Sequence, residues 1–325
     1  MSKTSYVPSP TKIKVVGIGG GGGNAITRMI REQIRGVEFI VMNTDVQHLE
    51  MTEAPVRIAL GKRLTGGLGV GGDHKAGRKC AEETHDEIRQ ALAGADMVFL
   101  AAGMGGGTGT GAIPVVAEVA KQSGALTIAI VTKPFTFEGN RRMQVAEEGI
   151  SQLIGKVDTL ITIPNDRLLK LVGHQTSVAD AFKFADDILC HAVQAIAEAI
   201  TVPGIINIDF AGIRAIMKDS GPAWMSVGRG SGQNRAIDAA KGALDSPLLD
   251  ISVAGAKRVL FKVAGGSNLT LMEVNAAAKV IQQAVDPEAN IIFGVVVDPK
   301  MGNEVRLTLI ATGFAAKERG RVFQA

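Results

Sequence analysis

Gly103-Met104-Gly105-Gly106-Gly107-Thr108-Gly109-Thr110-Gly111 is the stretch on which the fold turns. Before it runs Met97-Val98-Phe99-Leu100-Ala101-Ala102, an unbroken apolar segment of the kind a strand buried on both faces requires. After it comes Ala112 to Lys121, whose spacing predicts a helix with Pro114 tolerated in its first turn. A strand that gives way to glycines and then to a helix presents backbone N–H groups to an anion. Glycine lets the ligand approach closely, and the helix N-terminus adds partial positive charge. Phosphate is the guest such a turn suits.

The same unit occurs earlier. Lys12 to Ile18 reads as a strand, Gly19-Gly20-Gly21-Gly22-Gly23-Asn24-Ala25 as a second glycine loop, and Ile26 to Ile34 as a helix. Gly17, Gly19 and Gly22 also satisfy the GxGxxG dinucleotide pattern, a weak signal on its own. A third glycine-rich loop, Gly66 to Gly72 and so including Gly71 and Gly72, precedes a polar helix from Lys75 to Leu92. A hydride-transfer enzyme needs one such loop for a pyrophosphate. Three loops from separate turns suggest a whole triphosphate surrounded by main-chain donors.

Between and after these loops, Val37 to Met42, Val56 to Leu60, Leu126 to Val131 and Thr159 to Ile163 read as strands. The first of these ends in Asn43-Thr44-Asp45, the strand at Leu126 in Thr132-Lys133-Pro134, and the last in Pro164-Asn165-Asp166. Alternation of strand and helix at this spacing predicts a parallel, doubly wound α/β sheet with its ligand at the strands' carboxyl ends. Glu138 and Arg142 stand one helical turn apart, the spacing of an ion pair. Ser177 to Thr201 carries apolar residues at helical spacing over an unusual length and ends at Pro203-Gly204, which suits a spacer between two domains.

Beyond it the pattern changes to α+β. Strands are predicted over Ala223 to Val227, Arg258 to Val263, Asn290 to Val297 and Val305 to Thr312, and helices over Asn234 to Leu244 and Leu271 to Ala284. The second of these helices has a capping box in Thr270 and Glu273. Three strands near the end, the last two joined by Asp298 to Asn303, suggest a smaller mixed sheet. The division read from the chain is a disordered lead over 1–11, a nucleotide domain over 12–176, a central helix over 177–202, a C-terminal domain over 203–314 and a tail over 315–325.

Bulk composition narrows the function classes. With 325 residues, 46% apolar and 21% charged, the chain can bury a large core. Its net charge of +3, with no basic run interleaved with aromatics, argues against nucleic acid as a partner. No run reaches membrane-spanning length, no signal peptide is visible, and Cys80 and Cys190 match neither a zinc nor a redox spacing; the expectation is a soluble cytoplasmic protein with no metal cluster and no membrane insertion. GxxxxGK[ST] is absent, so a phosphate cradle would rest on main-chain donors and magnesium.

Six motifs in order, GGGGGNA from Gly19, NTD from Asn43, GMGGGTGTG from Gly103, KPFTFEG from Lys133, IPND from Ile163 and PGIINIDFA from Pro203, resemble the FtsZ family, the bacterial relatives of tubulin. The resemblance spans Lys12 to Phe314. It implies a GTPase domain, a long central helix and a C-terminal domain, with GTP or GDP and Mg2+ as cofactors. Gly20 to Asn24 and Gly107 to Gly109 would hold the phosphates, within a pocket that also takes in Gly19, Asn43, Asp45, Gly71, Gly72, Gly103, Gly105, Gly106, Thr132 and Pro134. Glu138 and Arg142 would contact the ribose and phosphate region, Asn165 the sugar and base, and Phe182 would stack on the base. Asp186 would accept from two donors on guanine's edge, a pairing adenine cannot supply.

In this family the loop after one subunit's central helix completes the next subunit's site, so the implied partners are further copies of the chain, head to tail, and cell-division accessory proteins at the midcell ring. Here that loop is Asn207 to Gly212, with Asp209 and Asn207 as the implied catalytic residues. Asp209 also suits the N-cap of a helix over Ile213 to Lys218. The family usually places a second aspartate three residues after the first, where this chain has Gly212; slow hydrolysis, or a structural filament with little catalysis, is the expectation. The family also commonly carries a linker and terminal peptide that would dock tethering proteins, whereas this sequence stops at Ala325. The competing class is a nicotinamide-dependent oxidoreductase using Gly17 to Gly22, with Asp45 at a ribose; it leaves two glycine loops unexplained.

Overall fold

The computed structural model describes residues 11–169, 176–201, 204–206, 208–247 and 253–314. The N-terminal half runs β1 (Ile13–Ile18), α1 (Gly19–Arg31), β2 (Val37–Asn43), α2 (Val46–Glu50), β3 (Val56–Ala59), α3 (Lys62–Thr65), α4 (His74–Glu83) and α5 (His85–Leu92). It continues through β4 (Met97–Gly103), α6 (Thr108–Gln122), β5 (Leu126–Lys133), α7 (Asn140–Leu153), β6 (Thr159–Pro164) and the single turn α8 (Asn165–Leu168). The central helix α9 (Val178–Thr201) leads to α10 (Phe210–Met217), β7 (Gly221–Gly230), α11 (Arg235–Leu244), β8 (Arg258–Gly265), α12 (Leu271–Ala284), β9 (Asn290–Val297) and β10 (Val305–Thr312).

One ten-stranded sheet carries both halves, in the order β3-β2-β1-β4-β5-β6-β7-β10-β8-β9. Strands β1 to β6 are parallel, and all eight residues of β5 are buried, as helices on both faces demand. On one face Ala25, Ile26 and Met29 of α1 join Leu189, Val193 and Ile196 of α9 in a single core; on the other, Ala112, Ile113 and Val116 of α6 pack with Ile88 and Leu92 of α5. The order reverses between β1 and β4, so the helices that follow these two strands leave on opposite faces and their first turns meet at the crevice between them.

The doubly wound prediction is met, with several corrections. The glycines that read as loops are themselves the first turns of helices: α1 begins at Gly19, not Ile26, and α6 at Thr108, not Ala112. Pro114 therefore lies in the second turn of α6, where it removes one backbone hydrogen bond from a helix held by nearly complete burial. The helix predicted over Lys75 to Leu92 is two helices, because Thr84 leaves the helix and turns its hydroxyl to Cys80 O (2.9 Å).

The C-terminal sheet is not separate. Thr159 to Ile161 of β6 pair in parallel with Gly221 to Ala223 of β7, and the mixed part of the sheet grows from that seam. The last two strands are not neighbours: β10 inserts antiparallel between β7 and β8, while β9 lies parallel to β8 at the edge. The loop Asp298 to Asn303 thus bridges over an intervening strand. The capping box at Thr270 and Glu273 is present, and Glu273 also receives Arg235 of α11 at 2.6 Å. Across the two halves, Lys262 of β8 reaches Glu198 of α9 at 2.7 Å, so the central helix is tied to the C-terminal strands as well as to the nucleotide-domain core.

Candidate functional site

At the carboxyl ends of β1, β4, β5 and β6 lies a cavity of about 420 Å³. Its walls are Gly20, Gly21 and Asn24 of α1, Gly71, and Gly103, Met104 and Gly106 to Gly109 at the junction of β4 and α6. Thr132, Pro134, Glu138, Arg142 and Asn165 close a second side, and Phe182, Ala185 and Asp186 of α9 the third. The residues come from separate turns that only the parallel order brings to one edge.

Two helix N-termini open into this space, and neither has a side-chain cap: the residues before them are Ile18 and Gly107, which offer no side-chain acceptor to the first turns. Uncapped first-turn N–H groups and two converging helix dipoles favour an anion by about 0.3–1 kcal/mol per charge at each helix. The one guanidinium on the wall, Arg142, is engaged by Glu138 at 2.6 Å, and Glu138 is in turn held by Phe135 N at 2.8 Å. Positive potential here therefore comes mainly from backbone.

On the same side as Arg142 the Oδ1 of Asn165, a residue 4% exposed, has no hydrogen-bond partner, so a buried acceptor waits for a donor. Asp186 likewise makes no hydrogen bond or ion pair among the described residues. Burial, and secondarily the charge of Asp187, push its carboxyl up to about 7, with Arg28 pulling the other way. Phe182 stands beside it at the pocket mouth, its ring perpendicular to those of Phe135 (5.3 Å) and Phe137 (6.2 Å), an edge-to-face cluster that leaves a half-exposed ring for a planar ligand.

Other residues expected at the site serve as its frame. Gly22 faces inward, where a Cβ would stand 2.4 Å from Ala101 O, and Gly23 faces Thr52 and Val41. Gly19, with φ +72°, lies against the backbone of Gly109. Asn43 accepts from Asp45 N (3.3 Å) and contacts His48, and Asp45 caps α2 through His48 N (3.1 Å); neither lines the cavity. The N–H of Gly105 donates to Thr110 Oγ1 (2.8 Å), and Gly72 adjoins Gly71 outside the wall. Gly107 joins two of the three glycine segments, since its N–H donates to Gly71 O at 3.0 Å. Met104 and Ala185 line the pocket without having been expected there. Ala185 follows Phe182 by three residues and precedes Asp186, so helical spacing already put it on that face.

Asp209 lies outside this cavity. Its Oδ1 accepts from Gly212 N at 2.7 Å and caps α10, which begins at Phe210, three residues before the predicted start. Asn207 falls outside the described residues. Among the described residues no three His, Cys, Asp or Glu side chains are grouped to hold a metal ion, and no helix is long and apolar enough to cross a membrane. Cys80 and Cys190 are free and buried.

Comparisons with known proteins agree on one lineage. The profile of the Tubulin/FtsZ family, GTPase domain, matches residues 12–173, and that of the FtsZ family, C-terminal domain, matches residues 221–315. Among solved structures, the empty FtsZ dimer of M. jannaschii is 44% identical, with a TM-score of 0.91 over 94% of this chain and 89% of the other. A tryptophan-to-tyrosine mutant of FtsZ from M. jannaschii is 45% identical, with a TM-score of 0.90 over 94% and 91%. CetZ2 from Haloferax volcanii, a GTPγS-bound protofilament, shares the fold with a TM-score of 0.81 at 19% identity, over 96% of each chain.

Proposed function

The chain belongs to the tubulin/FtsZ family, and on that footing we propose that it is a GTP-binding filament protein of cell division, stacking head to tail and hydrolysing GTP where one subunit meets the next. The observation that carries this reading is the convergence of two uncapped helix N-termini, an unpartnered Asn165 acceptor and an unpartnered Asp186 on one cavity. The first pair suits a polyphosphate, the third a ribose hydroxyl, the fourth the paired donors of guanine. Magnesium would enter with the nucleotide, on whose phosphate oxygens it commonly sits. Assembly is supported by the solved relatives, one a dimer and one a protofilament. A cytoplasmic place at the division site, with accessory proteins, follows from the FtsZ resemblance.

Catalysis in this reading falls to Asp209 and Asn207, presented to the nucleotide of a neighbouring copy and positioning the attacking water. Gly212 bears on it directly. A Cβ there would lie 2.9 Å from Asp209 Oδ1 and 3.2 Å from Ile292 Cδ1, at the third residue of α10, so an aspartate side chain would stand next to the first carboxylate on an exposed turn. The chain lacks that second acid, and loss of an acid or base group typically slows a reaction by about 10²- to 10⁴-fold. Slow turnover follows, and the same glycine favours a second reading, a filament in which GTP is bound but barely hydrolysed.

Gly212→Asp is expected to raise phosphate release per assembled subunit by about 10- to 10³-fold while nucleotide affinity stays the same. The helix N-terminus tolerates the new acid, provided that the flexible end of Asp209 moves aside and Ile292 gives by a few tenths of an ångström. Steady-state phosphate release, normalised to pelleted protein, measures it. Equal turnover in the two proteins would remove Gly212 as the cause of slow hydrolysis.

A further inference from the structure

A second cavity, of about 250 Å³, abuts the nucleotide pocket and shares Asn24 and Asp186 with it; Thr27, Arg28, Arg31 and Lys183 complete its wall. Arg28 lies one turn beyond Asn24 on α1 and crosses to α9, where its Nε sits 2.7 Å from Asp187 Oδ1, with Nη2 3.2 Å from Glu32 Oε1. Both atoms of the Asp187 contact are shut off from solvent and the N–H does not line up with the oxygen, so this is charge pairing in a dry place. Such pairing is screened far less than an exposed one. Asp186 follows on the pocket side with no partner of its own.

We propose that Arg28 is a positioning residue for base recognition: by neutralising Asp187 and placing a guanidinium behind Asp186, it keeps the Asp186 carboxylate in the charged form that guanine's two donors require. The inference rests on the assignment of Asp186 to the base. The other charged groups facing this carboxylate act less. Lys183, on α9, is exposed to water, and Arg31, on α1, is turned away to Glu53 at 2.6 Å. Glu32, also on α1, is held by Arg28 itself. Among the described residues Asp187 is the anion that opposes ionisation, and Arg28 is what holds it.

Burial has already raised the Asp186 carboxyl to about 7, and Arg28 is the attraction that limits the rise. The sign follows: guanine binds the ionised form, so binding weakens as pH falls through that value. Without Arg28 the midpoint moves higher, and affinity is lost at neutral pH and recovered only in base.

GDP titrations of nucleotide-stripped protein between pH 6 and 8.5 test this, with Asp186→Asn supplying the baseline for the nucleotide's own phosphate titration. Above that baseline the wild-type Kd is expected to rise about tenfold from pH 8 to pH 6. For Arg28→Gln, a midpoint one unit higher weakens binding about ninefold at pH 6, about fivefold at pH 7 and less than twofold at pH 8.5. Arg28→Lys, which keeps the charge, returns the profile towards wild type. A loss in Arg28→Gln that is the same at every pH, an unshifted midpoint, or an equal shift in Arg28→Lys overturns the proposal. If instead Asp186→Asn matches wild type in affinity and pH profile, the base assignment itself fails, a result separable from the Arg28 outcomes.

Discussion

Asp186→Ala is expected to weaken GTP binding by about 10- to 100-fold, leave ATP binding unchanged, and so erase most of the preference between them. A hydrogen bond to a charged group contributes about 1.5–3 kcal/mol, and a site built around paired donors loses its discrimination when its acceptor goes. Competition of unlabelled GTP and ATP against a fluorescent guanine nucleotide reads the ratio. An unchanged ratio would take Asp186 away from the base. The same change carries a stability signature of opposite sign. The native carboxyl titrates near 7, above the ordinary range, so the native state binds its proton more tightly than the unfolded chain does. Its contribution is complete below pH 4 and is lost as pH rises through 7. The melting temperature of nucleotide-free Asp186→Ala should therefore gain on wild type as pH goes from 4 to 8; a constant difference would contradict the burial of that charge.

Gly22→Ala is expected to cost about 2–3 kcal/mol of stability, a fall of roughly 3–5 °C in melting temperature for a chain of this length. The added methyl would meet Ala101 O at 2.4 Å and the backbone of Gly17 at 2.9 Å, and neither can step aside without parting α1 from β1 and β4. Because the first turn of α1 is the pocket wall, nucleotide binding should fall with it. Gly20→Ala makes the contrast: its nearest neighbour would be His48 Nε2 at 3.8 Å, and alanine is the better helix former, so stability should hold or rise by about 0.5–1 kcal/mol. Thermal unfolding of the two variants side by side settles it. Equal melting temperatures would mean that Gly22 is not a packing glycine.

These two glycines mark what the sequence discloses and what it hides. The pattern of strand, glycines and helix discloses that α1 and α6 present first turns at one sheet edge, because apolar runs and glycine clusters are local signals. It does not say which glycine faces the pocket and which faces the sheet, since that depends on how closely β1, α1 and β4 approach in space. Gly17, Gly19 and Gly22 mimic a dinucleotide fingerprint for the same physical reason that the fingerprint exists, close packing of a helix on a strand, and Gly22 meets Gly17 in just that way. Adjacency to the motif draws Asn43 and Asp45 towards the pocket, but short polar side chains at a strand end hydrogen-bond locally, and α2 claims both. Strand order in the C-terminal half is hidden more deeply. Nothing local tells β10 to enter between β7 and β8 rather than to pair with β9, the strand before it. In the sequence Asp186 and Asp187 are one polar pair on an apolar helix; only the crossing of α1 makes one a ligand for Arg28 and leaves the other facing the pocket.

The pocket between α1, α6 and α9 is the centre on which assembly, hydrolysis and the Arg28 relay all depend, and calorimetric titration of the nucleotide-stripped chain tests it most directly. GDP and GTP should each bind at one site per chain, with ATP at least about 100-fold weaker and a nicotinamide dinucleotide giving no heat. Saturating GTP and GDP without heat, or a dinucleotide bound in their place, would contradict it.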